Sequence, residues 1–414
     1  MIKKVFNHLH QDLLYRNSIY YMSSTFVLGG FGFIFWIIAA KFFNSYDIGI
    51  ATALISVMAL ITSLSSLGLN IGLIKYLPQS ERKNNLINSS LVVVTIATVI
   101  VSAGFLIGLN IFSPKLLFLR SNLFYISSFI IFMIFASLNT LLDSIFIAYR
   151  GAGNVLFKNT FLGIIKLLLP IGLVFLGAYG IFSSVALSTL IASLIGFIIL
   201  SKKFSYTFNP KVNKEAVEKM GIFSAGNYIA GFLYQAPTLL LPIVILNRLG
   251  SNYAAYFYIV SMILNFLIII PLATTQVLLA EGSYSEEGLS RHIKKATLAI
   301  FSLLTPAVII LFFFGNYILN IFGKEFAQES YRFLQIMSIS IFFISIILIG
   351  NGILRIKHKI KLLIILNLFG ACIILALSFL FLQKGLYGIG IGWLIGQAII
   401  SFLFLFSTRK AFKA

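Results

Sequence analysis

Apolar runs of roughly 20 residues recur along this chain, each closed by a short polar connector, and the pattern divides into about twelve. A helix needs about 20 apolar residues to cross the hydrocarbon core of a bilayer, because lipid offers no partner to a free backbone N–H or C=O. In the first half such spans are predicted at Ile19–Ala40, Gly49–Leu69, Leu86–Ile111, Leu123–Ala148, Thr160–Leu176 and Ile181–Leu200. In the second half they are Ser224–Leu246, Tyr256–Leu279, Thr297–Phe314, Phe333–Ile353, Leu362–Leu382 and Ile389–Ser407. The expected fold class is an all-α integral membrane protein.

The two halves resemble each other. Gly177-Ala-Tyr-Gly-Ile181 precedes the sixth span and Gly385-Leu-Tyr-Gly-Ile389 the twelfth, 208 positions later. Ser45-Tyr46 precedes the second span and Asn252-Tyr253 the eighth, at an offset of 207. Six spans per copy is an even number, so both copies share one orientation and form two six-helix bundles related by a parallel repeat. The expected division is a segment 1–18, a bundle 19–200, a linker 201–223, a second bundle 224–407 and a tail 408–414. Met1–Asn17 reads either as an amphipathic helix lying in the interface or as an ordinary polar lead-in.

Charge orients the chain. Of 31 Lys and Arg residues, 23 fall in segments on the side of the N-terminus and 7 on the other, with Lys166 inside a span. This bias places both termini in the cytoplasm of a cell-membrane protein and accounts for most of the +20 net charge without nucleic acid. Apolar residues make up 59% and charged residues 10%, where a soluble domain carries roughly 25% charged. Cys372 is the one cysteine, and the four histidines are scattered. No metal-ligand spacing, nucleophile–base arrangement or phosphate loop is present, so neither an enzyme nor a cofactor is expected.

A duplicated twelve-span chain with a mid-chain linker suggests an alternating-access transporter. Ala39-Ala40-Lys-Phe-Phe-Asn-Ser-Tyr-Asp47-Ile-Gly49, then Leu67-Gly68-Leu69 and Ile74-Lys75-Tyr-Leu-Pro-Gln79, resemble the polysaccharide exporters of the multidrug/oligosaccharidyl-lipid/polysaccharide superfamily. Arg150-Gly151 and Gly177–Ile181 also fit, and the similarity runs over essentially the whole chain. The resemblance implies a flippase that moves a polyprenyl-(pyro)phosphate-linked oligosaccharide from the cytoplasmic to the outer leaflet. It also implies membrane lipids, and a polymerase and glycosyltransferases of the same pathway, as partners. One rival is a cation-coupled drug or metabolite exporter of that superfamily. Such exporters usually carry several buried carboxylates, and here Asp143 is the only acid well inside a span. Another rival is a non-transporting scaffold of a glycan-assembly complex, which would not need polar residues on the central helices.

In that family spans one, two, seven and eight line the cavity, which singles out Asn70, Asn227, Gln235, Asn265 and Gln276 for the glycan, although hydrogen bonding between helices accounts for such residues equally well. Lys75, Arg150 and Arg16 are placed to meet a phosphate, although positive-inside placement alone also accounts for them. Asp143 and Lys166 lie 11 or 12 residues either side of a hairpin centred near Asn154-Val155, at similar depth, and are expected to pair. Pro237 and Pro242 in the seventh span and Pro271 in the eighth are candidate bends for a gate.

Overall fold

A computed structural model describes residues 13–284 and 289–413. The described residues are helical with no strand, and twelve helices are long and apolar enough to cross a membrane. They are α1 (Leu13–Phe42), α2 (Ser45–Ser65), α3 (Lys83–Ile107), α4 (Leu123–Ala148), α5 (Ala152–Gly172) and α6 (Ala178–Phe204). Then follow α7 (Lys214–Arg248), α8 (Ser251–Tyr284), α9 (Leu289–Asn320), α10 (Lys324–Ile356), α11 (Ile360–Leu380) and α12 (Gly385–Lys413). Residues 1–12 of the expected amphipathic segment lie outside the described residues.

Several ends follow from local chemistry. Asn44 accepts the Asp47 N–H at 2.7 Å and starts α2, and Asn122 accepts the Tyr125 N–H at 2.9 Å and starts α4, each satisfying a donor the first turn leaves free. Large apolar side chains such as Ile100 and Leu168 stay exposed in mid-helix. In water they would be an aggregation surface; in a bilayer they face lipid.

The chain forms two compact units, Met1–Tyr228 and Ile229–Ala414. In the first, α2, α4 and α6 pack on one another, α3 lies on α2 and α4, and α1 lies along α5. In the second, α8, α10 and α12 make the same pairings six helices later, with α9 on α8 and α10 and α11 on α12. The boundary between units falls inside α7, beyond the connector 201–223 expected to separate two bundles.

That connector is fastened to the first unit. The Tyr206 hydroxyl donates to Asn88 Oδ1 at 2.5 Å, Asn88 Nδ2 donates to Thr207 O at 3.0 Å, and the Asn213 N–H donates to Ser89 Oγ at 2.8 Å. Burial pushes the Tyr206 phenol up to about 12, which keeps it a donor at neutral pH.

The repeated motif has a structural cause. Before α6 a 3₁₀ turn, Val174–Leu176, runs into Gly177 at φ +53°; before α12 the turn Leu382–Lys384 runs into Gly385 at φ +64°. Both backbones take the left-handed side that glycine enters most cheaply. Three residues on, a Cβ on Gly180 would lie 2.0 Å from Leu173 O, and one on Gly388 would lie 2.0 Å from Phe381 O. Both glycines of each copy are therefore required.

Candidate functional site

The centre of the first unit holds a buried charge. Lys158 on α5 is fully buried, and its Nζ lies 3.0 Å from Oδ1 of Asp143 on α4, whose side chain keeps 27% of its surface exposed. Lys158 also donates to Asn139 Oδ1, one turn from Asp143 on α4. Next to it, Asn159 Nδ2 donates to Ser24 Oγ of α1 at 2.9 Å. Gly196 on α6 leaves room for this group: a Cβ there would sit 3.2 Å from Lys158 Cδ and 2.9 Å from Leu142 Cδ1. A buried cation survives in an apolar interior only when an anion and further hydrogen bonds replace its hydration, and Asp143 with Asn139 supply them.

The expected pairing of Asp143 with Lys166 is corrected, and Lys158, which falls between the predicted fourth and fifth spans, lies inside α5. The chain does not reverse at Asn154-Val155. Arg150 takes a left-handed conformation, φ +55°, and closes α4 with Gly151 N–H to Phe146 O at 2.7 Å and Arg150 N–H to Ile147 O at 2.9 Å. The hairpin thus turns at 150–151, and a residue as far beyond the turn as Asp143 lies before it is Lys158, not Lys166. The predicted fifth span, Thr160–Leu176, begins eight residues too late for the same reason.

Lys166, half-buried further along α5, places Nζ 4.5 Å from the ring centroid of Phe35 on α1, and makes no ion pair among the described residues. This is a cation–π contact in place of a carboxylate. The α1–α5 seam is otherwise small against large: a Cβ on Gly163 would fall 2.1 Å from the Phe31 ring. Asn17 Oδ1 accepts the first N–H of α5, from Ala152, at 3.0 Å.

Asn70 and Lys75 share a short helix, Leu69–Tyr76, set off from α2 by Leu67 and Gly68, both at positive φ. Asn70 Oδ1 is buried without a hydrogen-bond partner, and exposed Lys75 stacks its Nζ 3.6 Å from the Phe223 ring. Gly68 is needed there twice, for its φ of +76° and because a Cβ would lie 3.0 Å from the Cβ atoms of Ser224 and Tyr228. Arg150 is exposed; the side chain of Arg16 lies outside the described residues. Asn227 is half-buried on α7. Gln235 is exposed and donates back to Gly231 O at 3.5 Å, and Asn265 and Gln276 on α8 are exposed. Pro237, Pro242 and Pro271 are buried inside helices that continue through them.

The second unit holds an uncharged counterpart that sequence reading missed. Shifted by the repeat of 208, Asp143 becomes Asn351, Lys158 becomes Leu366 and Asn159 becomes Asn367. Asn367 Nδ2 donates to Asn351 Oδ1 at 3.1 Å and to Ala230 O at 3.0 Å. The packing partners swap size: Leu142 against Gly196 in the first unit becomes Gly350 against Phe404 in the second, where a Cβ on Gly350 would meet the Phe404 ring at 2.5 Å. Aligning the halves residue by residue on the glycine motif would have exposed the pair, since Asn159 and Asn367 then coincide.

Comparison with known proteins bears on the fold. The MatE family model matches residues 228–380. No curated protein matches. An inward-facing structure of a multidrug resistance MATE family transporter of the MOP superfamily is similar over 93% of this chain and 94% of its own, with a TM-score of 0.73 and 16% identity. The outward-facing structure of such a transporter gives 0.64 at 15% identity, over 97% of this chain and 95% of that one. A MOP superfamily transporter from Pyrococcus furiosus, described as having a binding pocket of reverse polarity that suggests a different function, gives 0.64 at 16% identity over 97% and 96%. By these likenesses, which run nearly end to end, the chain has the twelve-helix fold of the MATE transporters.

Proposed function

We propose that the protein is a transporter of the MOP superfamily, moving an amphipathic solute across the membrane by alternating access and catalysing no reaction. The observation that carries this reading is the near-complete overlap with MATE transporter structures in both inward- and outward-facing states, joined by the MatE match across the second half. Among cargo classes the comparisons favour a drug- or metabolite-sized solute over a polyprenyl-linked oligosaccharide, because the neighbours are described as multidrug transporters. The buried Asp143–Lys158 pair supports ion coupling: protonating Asp143, or displacing either member, leaves a charge uncompensated.

The flippase reading expected from the sequence remains a second proposal, on the balance of charge within the described helices. Lys166 has no carboxylate partner among the described residues, and Asp143 is the only acid deep within a described helix, which suits an anionic headgroup. The test is uptake by the purified protein in liposomes under an imposed proton or sodium gradient. Gradient-driven movement of a lipophilic dye supports the exporter reading. Gradient-independent movement of a fluorescent polyprenyl-phosphate glycan, with no dye transport, supports the flippase. Movement of neither overturns the transport reading for both classes.

A further inference from the structure

A cleft of about 400 Å³ opens on the first unit where α3 begins and α4 and α6 end. Its lining brings together Arg82 and Lys83 with Asn84, and a wall made by Tyr149 and Phe204, whose rings stack at 4.5 Å between centroids. Lys83 Nζ lies 5.5 Å from the centroid of the Tyr149 ring. Glu81 is the one acid in the lining, and neither Arg82 nor Lys83 makes a salt bridge among the described residues. Two cations free of a salt bridge beside a flat aromatic wall, with the Glu81 carboxylate the one opposing charge in the lining, are the features of a site for a phosphate group. The wall suits the glycerol and upper acyl part of a lipid better than it suits water, because Tyr and Phe rings sit stably at the boundary of a bilayer.

We propose that this cleft binds the phosphate of an anionic phospholipid from the leaflet that meets the basic face of the protein. The proposal is independent of the cargo. Asn84 Nδ2 donates to Thr207 Oγ1 at 3.2 Å and to Ser205 O at 3.5 Å, so the bound lipid would sit against the connector where it is fastened to the first unit. A free phosphate ion would use the same cations without the aromatic wall.

The experiment uses the full chain purified in detergent, with native mass spectrometry of retained phosphatidylglycerol against phosphatidylcholine, and a separate titration with inorganic phosphate. The Arg82→Gln, Lys83→Gln double variant is compared with the parent, with the charge-preserving Arg82→Lys, Lys83→Arg variant, and with a Lys359→Gln, Lys361→Gln control elsewhere on the basic residues. Each melting temperature is checked against the parent. We expect preferential retention of phosphatidylglycerol to fall roughly fivefold for each cation removed, and to be kept by the charge-preserving variant and the control. Binding of inorganic phosphate that depends on Arg82 and Lys83, without lipid preference, keeps the phosphate site and overturns the lipid as its source. Equal loss in the control, or no loss in the Arg82/Lys83 variant, shows only diffuse surface charge and overturns the proposal.

Discussion

Lys158 is fully buried among α4, α5 and α6, and its charge is tolerable there only because Asp143 and Asn139 replace water. Removing one partner leaves an uncompensated charge, so Lys158→Ala should destabilise the protein by about 3–5 kcal/mol in a denaturation assay. The double variant Lys158→Met, Asp143→Leu should recover most of that stability while losing gradient dependence of transport. Unchanged gradient dependence in the double variant would make the pair purely structural. Arg150 offers a second residue-scale test. Its left-handed φ of +55° disfavours any side chain, and glycine there should raise stability by about 1 kcal/mol. Normal transport by Arg150→Gly would show that this cation sets the turn and nothing more. The same turn explains what was legible at this scale. Asp143 was recognisable from its isolation in an apolar run. Its partner was not, because hydropathy does not register that a non-glycine residue has adopted the left-handed closure of a helix, and an error of a few residues at the turn doubles by the time it reaches the opposite helix.

At the scale of elements, the glycine motif was readable because its chemistry is local. A backbone at positive φ followed by a Cα against a carbonyl demands glycine at both places wherever it occurs. Gly180→Ala or Gly388→Ala should each lower stability by about 1–3 kcal/mol, measured by thermal unfolding, because the new methyl meets a backbone carbonyl that cannot rotate away. The fastening of the connector was not readable, since Asn84, Asn88 and Ser89 look like any polar entry to a span until the chain is brought back beside them. Asn88→Ala removes one acceptor and one donor of that fastening, and should speed proteolysis within residues 205–213 without unfolding the units. The phenol of Tyr206 adds a pH dependence of definite sign. Its folded pKa is raised, to about 12 from 10, so its contribution is complete below pH 10 and is lost as pH rises towards 12. In Tyr206→Phe that alkaline loss should disappear.

At the scale of the molecule, the twelve spans were evident from periodicity and the duplicated half from the motifs repeated 207 and 208 positions apart, and the MATE fold agrees with the twelve spans. Cargo was less evident, because substrate recognition depends on which helix faces meet, and one-dimensional hydropathy carries no rotation about a helix axis. The orientation implied by the excess of basic residues predicts that a tag after residue 413 will be accessible only from the cytoplasm. The two units are alike in pairing and in turn geometry, yet Asp143–Lys158 is charged where Asn351–Asn367 is neutral. Rebuilding the second copy with Asn351→Asp and Leu366→Lys would test whether position alone confers titration. The consequence is one of stoichiometry. Under the proposed coupling, two like units that carry one carboxylate deep within a described helix exchange one ion per cycle at this pair, so carriage of an uncharged solute is electrogenic and its rate should follow the membrane voltage.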